Sequence, residues 1–355
     1  MEMDINKKII IRKNEYITTN ILGKGFSGIV YEAQNTKTQE KVAIKIINKN
    51  YIKQKLVPIN ITTDCFFKNE INILKFLQCE YSCKYLSSYK DNENYYLIMK
   101  KYDCDLNKLL EEKFPNGIPI HLLKKCLYQL NEVFKKMNED EIIHRDIKPG
   151  NILIEYINEY NFNFILSDYS FGKYMNDQSK ANTVCGTPHY MAPEIQMDNL
   201  DKIKYDSKVD IWSLGVTILK MLNKLNIPNL YKEIIPDLND TLLKDLLTKM
   251  LKIDPNQRIS WNEYFQHDFF KKKVKKYHKI NYKNGDWEEF PIENNIRKGK
   301  GIYHYSNGKE VKTHYYYDEI NKQTIFIINN IIYTFQIKNN KKDGLANCDF
   351  PMEIK

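Results

Sequence analysis

The sequence predicts an α+β fold of two lobes, followed by a small β-rich module. Residues 16–50 alternate between apolar and polar positions around a glycine cluster, and strand-like runs follow near Tyr85–Tyr89 and Tyr95–Met99. Helical periodicity covers residues 66–78, so the first lobe is predicted to contain a five-stranded antiparallel sheet and one helix. From about residue 105 to 270 the apolar residues recur mainly at helical spacing, which predicts a mainly helical second lobe.

Changes in composition along the 355 residues predict the domain boundaries. Turn-rich segments separate the helical stretches, and a lysine-rich run ends the helical lobe before Tyr- and Ile-rich sequence begins. The predicted segments are an N-terminal extension (1–15), a two-lobed domain (16–270, with lobes 16–101 and 102–270), a basic linker (271–279) and a β-rich C-terminal module (280–355). Within them we predict helices at 121–138, 209–223 and 240–252 and module strands near 301–305, 311–317, 324–329 and 331–337.

The composition predicts a globular protein with reduced thiols. A hydrophobic content of 42% is sufficient to bury a core. The formal net charge of +9 favours anionic partners such as nucleotide, acidic protein or phospholipid without selecting one, and no specific nucleic-acid partner is predicted. Seven cysteines form no CxxC pair and their odd number fits no closed disulfide framework, which favours the cytoplasm, with the nucleus as an alternative. We find neither a signal peptide nor a run of about 20 apolar residues.

A glycine-rich segment at 23–30 is the first candidate for a phosphate site. Its spacing is G-x-G-x-x-G-x-V, and missing side chains let backbone N–H groups approach phosphate oxygens closely. A strand follows the glycines where a dinucleotide-binding motif would have a helix, so a hairpin lid is favoured, although a plain glycine-rich turn stays open. The candidate residues are Gly23, Lys24, Gly25, Phe26, Ser27, Gly28 and Val30.

Lys45 lies in the centre of the next strand-like run, Val42-Ala-Ile-Lys45. A cation there can reach the α- and β-phosphates of a nucleotide, and it needs a carboxylate to hold it in position. Glu70 opens the amphipathic helix and is the candidate, with an extra loop near 56–63 filling the gap of 25 residues. In the alternative interpretation Lys45 is a solvated strand residue and Glu70 a surface charge.

The segment from His144 to Asn151 places five polar functions within eight residues between apolar runs. Together with the glycine-rich segment and Lys45, it resembles the eukaryotic protein kinases over roughly residues 16–270. The resemblance implies a bilobal protein kinase fold and the use of ATP and Mg²⁺. It implies that Asp146 receives or orients the substrate hydroxyl proton, that Lys148 steadies the transferring phosphoryl group and that Asn151 ligates metal. With Lys148 two places after Asp146, the segment is similar to that of the serine/threonine branch of the family.

Asp168 occupies the position of the second metal ligand by the same resemblance, after the strand-like Phe164-Ile-Leu-Ser. Tyr169 keeps an aromatic residue that can pack beneath the helix of Glu70. Ser170 departs from the family, because it replaces a glycine whose backbone freedom permits switching. We therefore expect slower switching or a stiffer active form. The alternative is a nucleotide-binding pseudokinase scaffold that acts through its C-terminal module.

The segment from Cys185 to Glu194 is similar to the end of the kinase activation segment. The resemblance implies that Thr187 contacts Asp146 and Lys148. It also implies control by phosphorylation at Thr183, with Arg145 as the cation for that phosphate and an upstream kinase as a partner.

Several further positions take scaffold or adenine-binding roles from the resemblance. Asp210 is expected to cap backbone amides of the catalytic loop, and Arg258 is expected to pair with Glu194. Adenine would be bound between apolar side chains and the backbone of the interlobe linker. The adenine-site candidates are Val30, Ala43, Met99, Lys100, Tyr102 and Leu153.

The kinase subgroup and the role of the tail are left open by the sequence. Local motifs around Asp168 and Glu194 are similar to autophagy-initiating kinases and to calcium/calmodulin-type kinases. The basic run at 271–279 can contact an anionic membrane or a partner protein, or serve as a solvated linker. The β-rich module can serve as an interaction module or as a structural cap.

Overall fold

The structure is a computed structural model, and it describes the chain in segments. They are residues 8–11, 14–56, 62–158, 161–174, 186–196, 206–226, 230, 232–233, 235–271, 277–281, 283–293, 296–297, 299–308, 310–318, 323–328, 331–338 and 341–349. The chain divides into two compact units, Met1–Phe270 and Lys271–Lys355. No helix in these segments is long and apolar enough to cross a bilayer.

The N-terminal lobe is built on a six-stranded antiparallel sheet in the order β1-β2-β3-β4-β6-β5. Alternating burial places one set of side chains in an apolar cluster on the outer face, where Ile44 and Ile46 of β4 pack. The opposite face carries Lys45 and Ile47. The strands are β1 (Lys8–Ile11), β2 (Asn14–Lys24), β3 (Ile29–Asn35), β4 (Lys41–Asn48), β5 (Tyr85–Lys90) and β6 (Asn94–Lys100).

Two helices follow β4, α1 (Lys49–Leu56) and α2 (Thr63–Phe76). Thr62 caps α2 by accepting a hydrogen bond from the Cys65 amide, which satisfies one of the free N–H groups of the first turn. The buried side of α2 combines large apolar residues with one carboxylate, Glu70. The sheet and α2 thus place a charged helix position against the face of β4 that carries Lys45.

The predicted fold class is confirmed by the family match reported below, and the structure adds two elements to the first lobe. Strand β1 comes from the predicted N-terminal extension, because Ile9 and Ile11 alternate with exposed neighbours and are buried on the outer cluster. Helix α1 occupies the stretch before the expected loop at 56–63, and it buries just Ile52 and Leu56. Five strands and one helix was therefore an undercount, because a four-residue strand and a weakly apolar helix give little periodic signal.

The C-terminal lobe is mainly helical. The largest helix, α4, is amphipathic and buries the side chains of one face in the main core. Helix α6, which is buried except at Lys208 and Lys220, runs behind the catalytic loop and carries Asp210 in its first turn. The helices are α3 (Leu106–Lys113), α4 (Ile120–Glu139), α5 (Pro193–Gln196), α6 (Lys208–Met221), α7 (Thr241–Met250) and α8 (Trp261–Gln266), and the strands are β7 (Cys104–Asp105), β8 (Ile142–Ile143), β9 (Ile152–Asn158), β10 (Asn161–Leu166) and β11 (Lys173–Tyr174).

The second unit is an antiparallel sheet whose strands mostly pair with their neighbours in sequence. Its first strand begins at Tyr277, so three residues of the predicted basic linker are strand, while residues 272–276 lie outside the described chain. Asp286 accepts hydrogen bonds from the Tyr303 hydroxyl and the Ser306 amide and fixes a turn. The strands are β12 (Tyr277–Asn281), β13 (Trp287–Glu293), β14 (Ile296–Arg297), β15 (Gly299–His304), β16 (Glu310–Asp318), β17 (Gln323–Ile328), β18 (Ile331–Lys338) and β19 (Lys341–Asp349).

Arg258 and Glu194 form the predicted ion pair of the second lobe, with two N–H···O contacts of 2.7 and 2.9 Å. The guanidinium is buried and lies over the Trp212 ring, and it also donates to three carbonyls, those of Lys252, Lys208 and Ile253. All its donor directions are used inside the lobe, which anchors the C-terminal end of the activation segment to the helical core.

Replacing Arg258 with alanine should lower the free energy of unfolding by about 3–5 kcal/mol, because the carboxylate of Glu194 and three carbonyls lose their partner in a buried site. Urea unfolding followed by circular dichroism measures the change. As a matched control, Lys244→Ala removes an exposed ion pair with Asp237 and should change stability far less. Equal losses in the two variants would contradict a special role for Arg258.

Candidate active site

Lys45 lies at the centre of a buried group of charges. Its ammonium is 2.7 Å from Glu70 Oε1 and 2.8 Å from Asp168 Oδ1. Lys45 is 4% exposed and Glu70 is 1% exposed, whereas the Asp168 side chain keeps 35% exposure toward the cleft. Strand β4, helix α2 and the segment after β10 therefore meet at one cation, and the solvated alternative for Lys45 is wrong.

Burial and mutual attraction act in opposite directions on these charges. Burial disfavours the ammonium of Lys45, but the carboxylates of Asp168 and Glu70 outweigh it and raise the pKa of Lys45. Burial likewise disfavours the Asp168 carboxylate, yet its contact with Lys45 holds the pKa of Asp168 well below its ordinary value. Glu70 is more deeply buried and its pKa is raised, mainly by desolvation. The lowered pKa of Asp168 thus keeps its carboxylate ionised at the cleft.

Ser170 joins this group of charges at the position where related kinases carry glycine. Its hydroxyl donates to Asp168 Oδ1 at 2.5 Å and accepts from the Lys45 ammonium. Tyr169 is fully buried, lies 5.0 Å from the His144 ring and bonds the Ser82 hydroxyl at 2.8 Å. The departure at Ser170 therefore leaves Asp168 paired with Lys45.

The catalytic-loop residues form a second hydrogen-bonded group. Lys148 donates to Asp146 Oδ2 at 2.7 Å and to the Thr187 hydroxyl at 2.6 Å, and that hydroxyl donates to Asp146 Oδ1 at 2.8 Å. Asp210 accepts from the amides of His144 (2.6 Å) and Arg145 (2.8 Å), which confirms its predicted capping role. The loop backbone is thereby fixed from beneath by α6.

Three hydrogen bonds connect this group to the segment between β10 and Asp168. The amide and hydroxyl of Ser167 both donate to the carbonyl of Asn151 at 2.9 Å, and the His144 ring contacts the Ser167 carbonyl at 3.0 Å. Asn151 in turn donates to Asp146. Asp146, Asn151 and Asp168 are consequently held on one continuous framework.

Asn151 and Asp168 have oxygen atoms suited to a divalent cation. The side-chain nitrogen of Asn151 donates to the Asp146 carbonyl (2.7 Å) and to Asp146 Oδ2 (2.9 Å), so its amide oxygen is the atom left for a metal. Carboxylate and amide oxygens are hard ligands of the kind that Mg²⁺ prefers. Within the described segments no group of three or more His, Cys, Asp or Glu side chains is arranged to hold a metal ion.

The glycine-rich segment forms the turn between β2 and β3, with the Gly25 amide donating to the Gly28 carbonyl at 2.9 Å. A Cβ on Gly28 would lie 2.2 Å from the Ile46 carbonyl oxygen, so this glycine permits close packing on β4. Gly23 and Lys24 belong to β2 and pair with Val30 and Ile29. Phe26 and Ser27 lie at the tip.

The adenine-site candidates lie at the junction of the lobes. Val30 pairs with Lys45, and Ala43 pairs with Met99 at the end of β6. Leu153 lies in β9 of the second lobe.

Part of the backbone of the interlobe linker already forms hydrogen bonds within the protein. Lys100 donates its amide to the Lys84 carbonyl at 3.0 Å and pairs its ammonium with Glu155, while the Tyr102 hydroxyl accepts from the Lys84 amide. An adenine contact from Lys100 is thereby limited to its carbonyl.

A cavity of about 450 Å³ lies near the glycine-rich segment but away from Lys45. It is lined by Ile46 and Asn48 of β4, which alternate with Lys45 and therefore face the other side of the sheet. Tyr51 and Gln54 of α1 complete one wall. The charged group and this cavity are separate features.

The comparison with known families decides the identity of this fold. The model of the protein kinase domain matches residues 16–270. The chain belongs to the protein kinase family. Members of this family use ATP with a divalent cation and act on protein substrates.

The curated relatives of this kinase are serine/threonine kinases with different names. It is 29% identical over 289 residues to the SNF1-related protein kinase catalytic subunit alpha KIN12 of Arabidopsis thaliana, covering 76% of this chain and 54% of that protein. It is 30% identical over 279 residues to serine/threonine-protein kinase atg1 of Dictyostelium discoideum (72% and 39%) and 28% identical over 293 residues to YPK1 of Saccharomyces cerevisiae (75% and 39%). The chain spans about half or less of these relatives' length, and no subgroup is singled out.

Sequence reasoning missed the contacts around the loop tip and Arg145. The Ser27 hydroxyl lies 3.2 Å from that of Ser170, and the rings of Phe26 and Phe171 are 5.1 Å apart. Arg145 Nε donates to the Phe171 carbonyl at 2.6 Å. The presence of a hydroxyl group at Ser170 could have indicated these contacts. The prediction considered just the loss of glycine's backbone freedom at this position and not the hydrogen bonds that a serine can form. Thr183 lies outside the described residues.

Replacing Lys45 with methionine removes the cation between two carboxylates, and we expect the free energy of unfolding at pH 8 to fall by about 3–5 kcal/mol. Burial already raises the pKa of Glu70, and loss of Lys45 raises it further. A carboxyl group with a raised folded-state pKa binds a proton more readily in the folded chain, so the loss should shrink as the pH falls from 8 toward 5. Urea unfolding at several pH values measures it.

The double variant Lys45→Met, Glu70→Gln supplies the control, because it has no buried carboxyl group left at the position of Glu70. We expect its deficit relative to the wild-type protein to depend less on pH. A deficit of the single variant that stays constant between pH 8 and 5 would contradict the assignment of the loss to an uncompensated Glu70 carboxylate.

Proposed function

We propose that this chain is an ATP-dependent serine/threonine protein kinase that transfers the γ-phosphate to a protein hydroxyl. The observation that carries the proposal is the arrangement of Lys45, Asp168, Asn151 and Asp146 on one hydrogen-bonded framework at the junction of two lobes. The serine/threonine kinases among its relatives support the same activity. Neither the comparisons nor the described residues favour the pseudokinase alternative.

Asp146 is the proposed acceptor of the substrate proton. The hydroxyl oxygen of serine or threonine would attack the γ-phosphorus while the bond from phosphorus to the bridging oxygen of ADP breaks, and the hydroxyl proton would pass to Asp146. Lys148 and Thr187 both contact the carboxylate of Asp146 and thereby fix its direction. Lys148 also places a positive charge where charge develops on the transferring group.

Lys45 is the proposed contact for the α- and β-phosphates, held in place by Glu70 and Asp168. Asp168 and the amide oxygen of Asn151 would hold Mg²⁺, which when bound neutralises charge on the phosphates. The glycine-rich segment, which precedes Lys45 in the chain, would contribute backbone N–H groups as fixed donors to the phosphates. The catalytic effect of this set comes from positioning and electrostatics.

Asp146→Asn should lower the rate of phosphate transfer by roughly 100- to 10,000-fold, because an amide accepts no proton from the hydroxyl. Incubation with labelled ATP, Mg²⁺ and a generic basic protein measures transfer. Asp64→Asn, at an exposed carboxylate paired with Lys90, is the matched control and should retain the wild-type rate. Full transfer by a folded Asp146→Asn protein would contradict the proposed role.

We also propose control by phosphorylation at Thr183 through an upstream kinase. Arg145 is the supporting cation, and its Nε now contacts the carbonyl of Phe171. Thr183→Ala should lower the transfer rate about tenfold or more, since hydrogen bonds to charged groups contribute about 1.5–3 kcal/mol. The assay compares the variant with wild-type enzyme before and after phosphatase treatment. A Thr183→Ala enzyme with full activity contradicts this mode of control.

We also propose a cellular compartment and binding partners for this kinase. The cysteines with described side chains, Cys65, Cys79, Cys83, Cys104 and Cys126, are free, which supports a reducing compartment such as the cytoplasm or nucleus. The lysine-rich run and the β-rich unit within residues 271–355 support contact with an anionic membrane or a partner protein.

A further inference from the structure

Two serine hydroxyls connect the tip of the glycine-rich segment to the residues that follow Asp168. Ser27 Oγ and Ser170 Oγ are 3.2 Å apart, and both side chains are buried, with exposures of 3% and 4%. The two residues are 143 positions apart in sequence. Each belongs to a different lobe, so their contact closes the cleft at the point where phosphates are expected.

The number of available protons fixes the direction of these hydrogen bonds. The ammonium of Lys45 has no acceptor, so it donates to Ser170, and the single hydroxyl proton of Ser170 is directed at Asp168 Oδ1. Ser170 can then serve Ser27 solely as an acceptor, and Ser27 is the donor. The two lone pairs and one proton of Ser170 are thereby all used.

A second contact beside the serines joins the same two segments. The rings of Phe26 and Phe171 are 5.1 Å apart with an interplanar angle of 50°, a favourable arrangement for an aromatic pair. Lys55 of α1 lies 4.8 Å from the centre of the Phe26 ring. Consecutive residues of the tip therefore contact consecutive residues after Asp168, one pair polar and one apolar.

The serine contact uses groups that a bound triphosphate needs. Backbone and hydroxyl groups of the glycine-rich tip are the donors expected to surround the phosphates, and Lys45 is their cation. With Ser27 buried against Ser170, the tip is connected through the Ser170 hydroxyl to the Lys45 and Asp168 pair. A phosphate can enter between them once Ser27 separates from Ser170.

We propose that Ser170 is a positioning residue which, through Ser27, holds the glycine-rich segment against the residues that follow Asp168, so that nucleotide binding must break this serine link. A glycine at position 170 has no hydroxyl and cannot form the link. The consequence for nucleotide affinity rests on the kinase function proposed above. The contact between the two serines does not depend on that function.

The link competes with nucleotide for the same segment, so the two are thermodynamically coupled. A contact made in the empty form alone weakens apparent nucleotide affinity by the factor with which it stabilises that form. One hydrogen bond typically changes such an equilibrium about 2- to 10-fold. This range is the expected effect of removing either hydroxyl.

Hydrogen exchange on the nucleotide-free, full-length protein tests the link directly. We expect Ser27→Ala and Ser170→Ala each to speed exchange of the amides of residues 25–28 about 2- to 10-fold. The double variant should exchange no faster than the faster single variant, because both substitutions remove one shared contact. Ser88→Ala, which removes a hydrogen bond to Tyr85 in β5, is the matched control and should leave these amides unchanged. Thermal unfolding verifies that all variants are folded.

Calorimetric titration with a non-hydrolysable ATP analogue and Mg²⁺ gives the second measurement. Ser170→Ala should bind the analogue about 2- to 10-fold more tightly than the wild-type protein. Unchanged loop exchange in both single variants, or effects that add in the double variant, would overturn the proposal. Weaker analogue binding by Ser170→Ala together with unchanged exchange would show that Ser170 positions Asp168 alone.

The two measurements separate this inference from the kinase function. If the wild-type protein binds no analogue, the proposed kinase function is in doubt, while the exchange rates still decide whether the serines close the cleft. If the protein binds and transfers phosphate but the exchange rates do not respond, the serine link fails and the kinase function stands.

Discussion

One buried cation holds the active site of this kinase together. Lys45 needs two carboxylates because burial would otherwise disfavour its charge, and these carboxylates come from a helix and from the segment after β10. The sheet, α2 and the second lobe must therefore keep their mutual positions for the cation to stay paired. The contacts that fix the geometry of the cleft therefore also contribute to the stability of the folded chain.

The second lobe meets this requirement with hydrogen bonds to its backbone. Asp210 fixes the amides of the catalytic loop from α6, and Ser167 ties that loop to the strand that precedes Asp168. Asn151 uses its nitrogen in this framework and leaves its oxygen for the cleft. The side chain of Asn151 therefore has a structural role at its nitrogen and a proposed metal-binding role at its oxygen.

The sequence predicted the individual motifs of the candidate site, but it did not predict all the contacts between them. The Lys45 to Glu70 contact follows from residue type and position within strongly patterned segments, whereas the Arg258 to Glu194 contact was expected from the resemblance to the protein kinases. The short strand β1 and helix α1 were missed because four and eight residues give too little periodicity. The contact of Ser27 with Ser170 depends on how two lobes close, and that distance is not encoded in any local pattern.

Strand β1 lies upstream of the segment that matches the kinase family, and it pairs along the outer edge of β2. Ile9 and Ile11 cover Tyr16 and Tyr31 in the outer apolar cluster. The open hydrogen-bonding edge of a sheet is a template for unwanted pairing between molecules. A recombinant chain trimmed to residues 16–270 would lack β1, so the longer edge of β2 and the apolar side chains beside it would be exposed to other molecules, whereas β1 leaves an open edge of four residues.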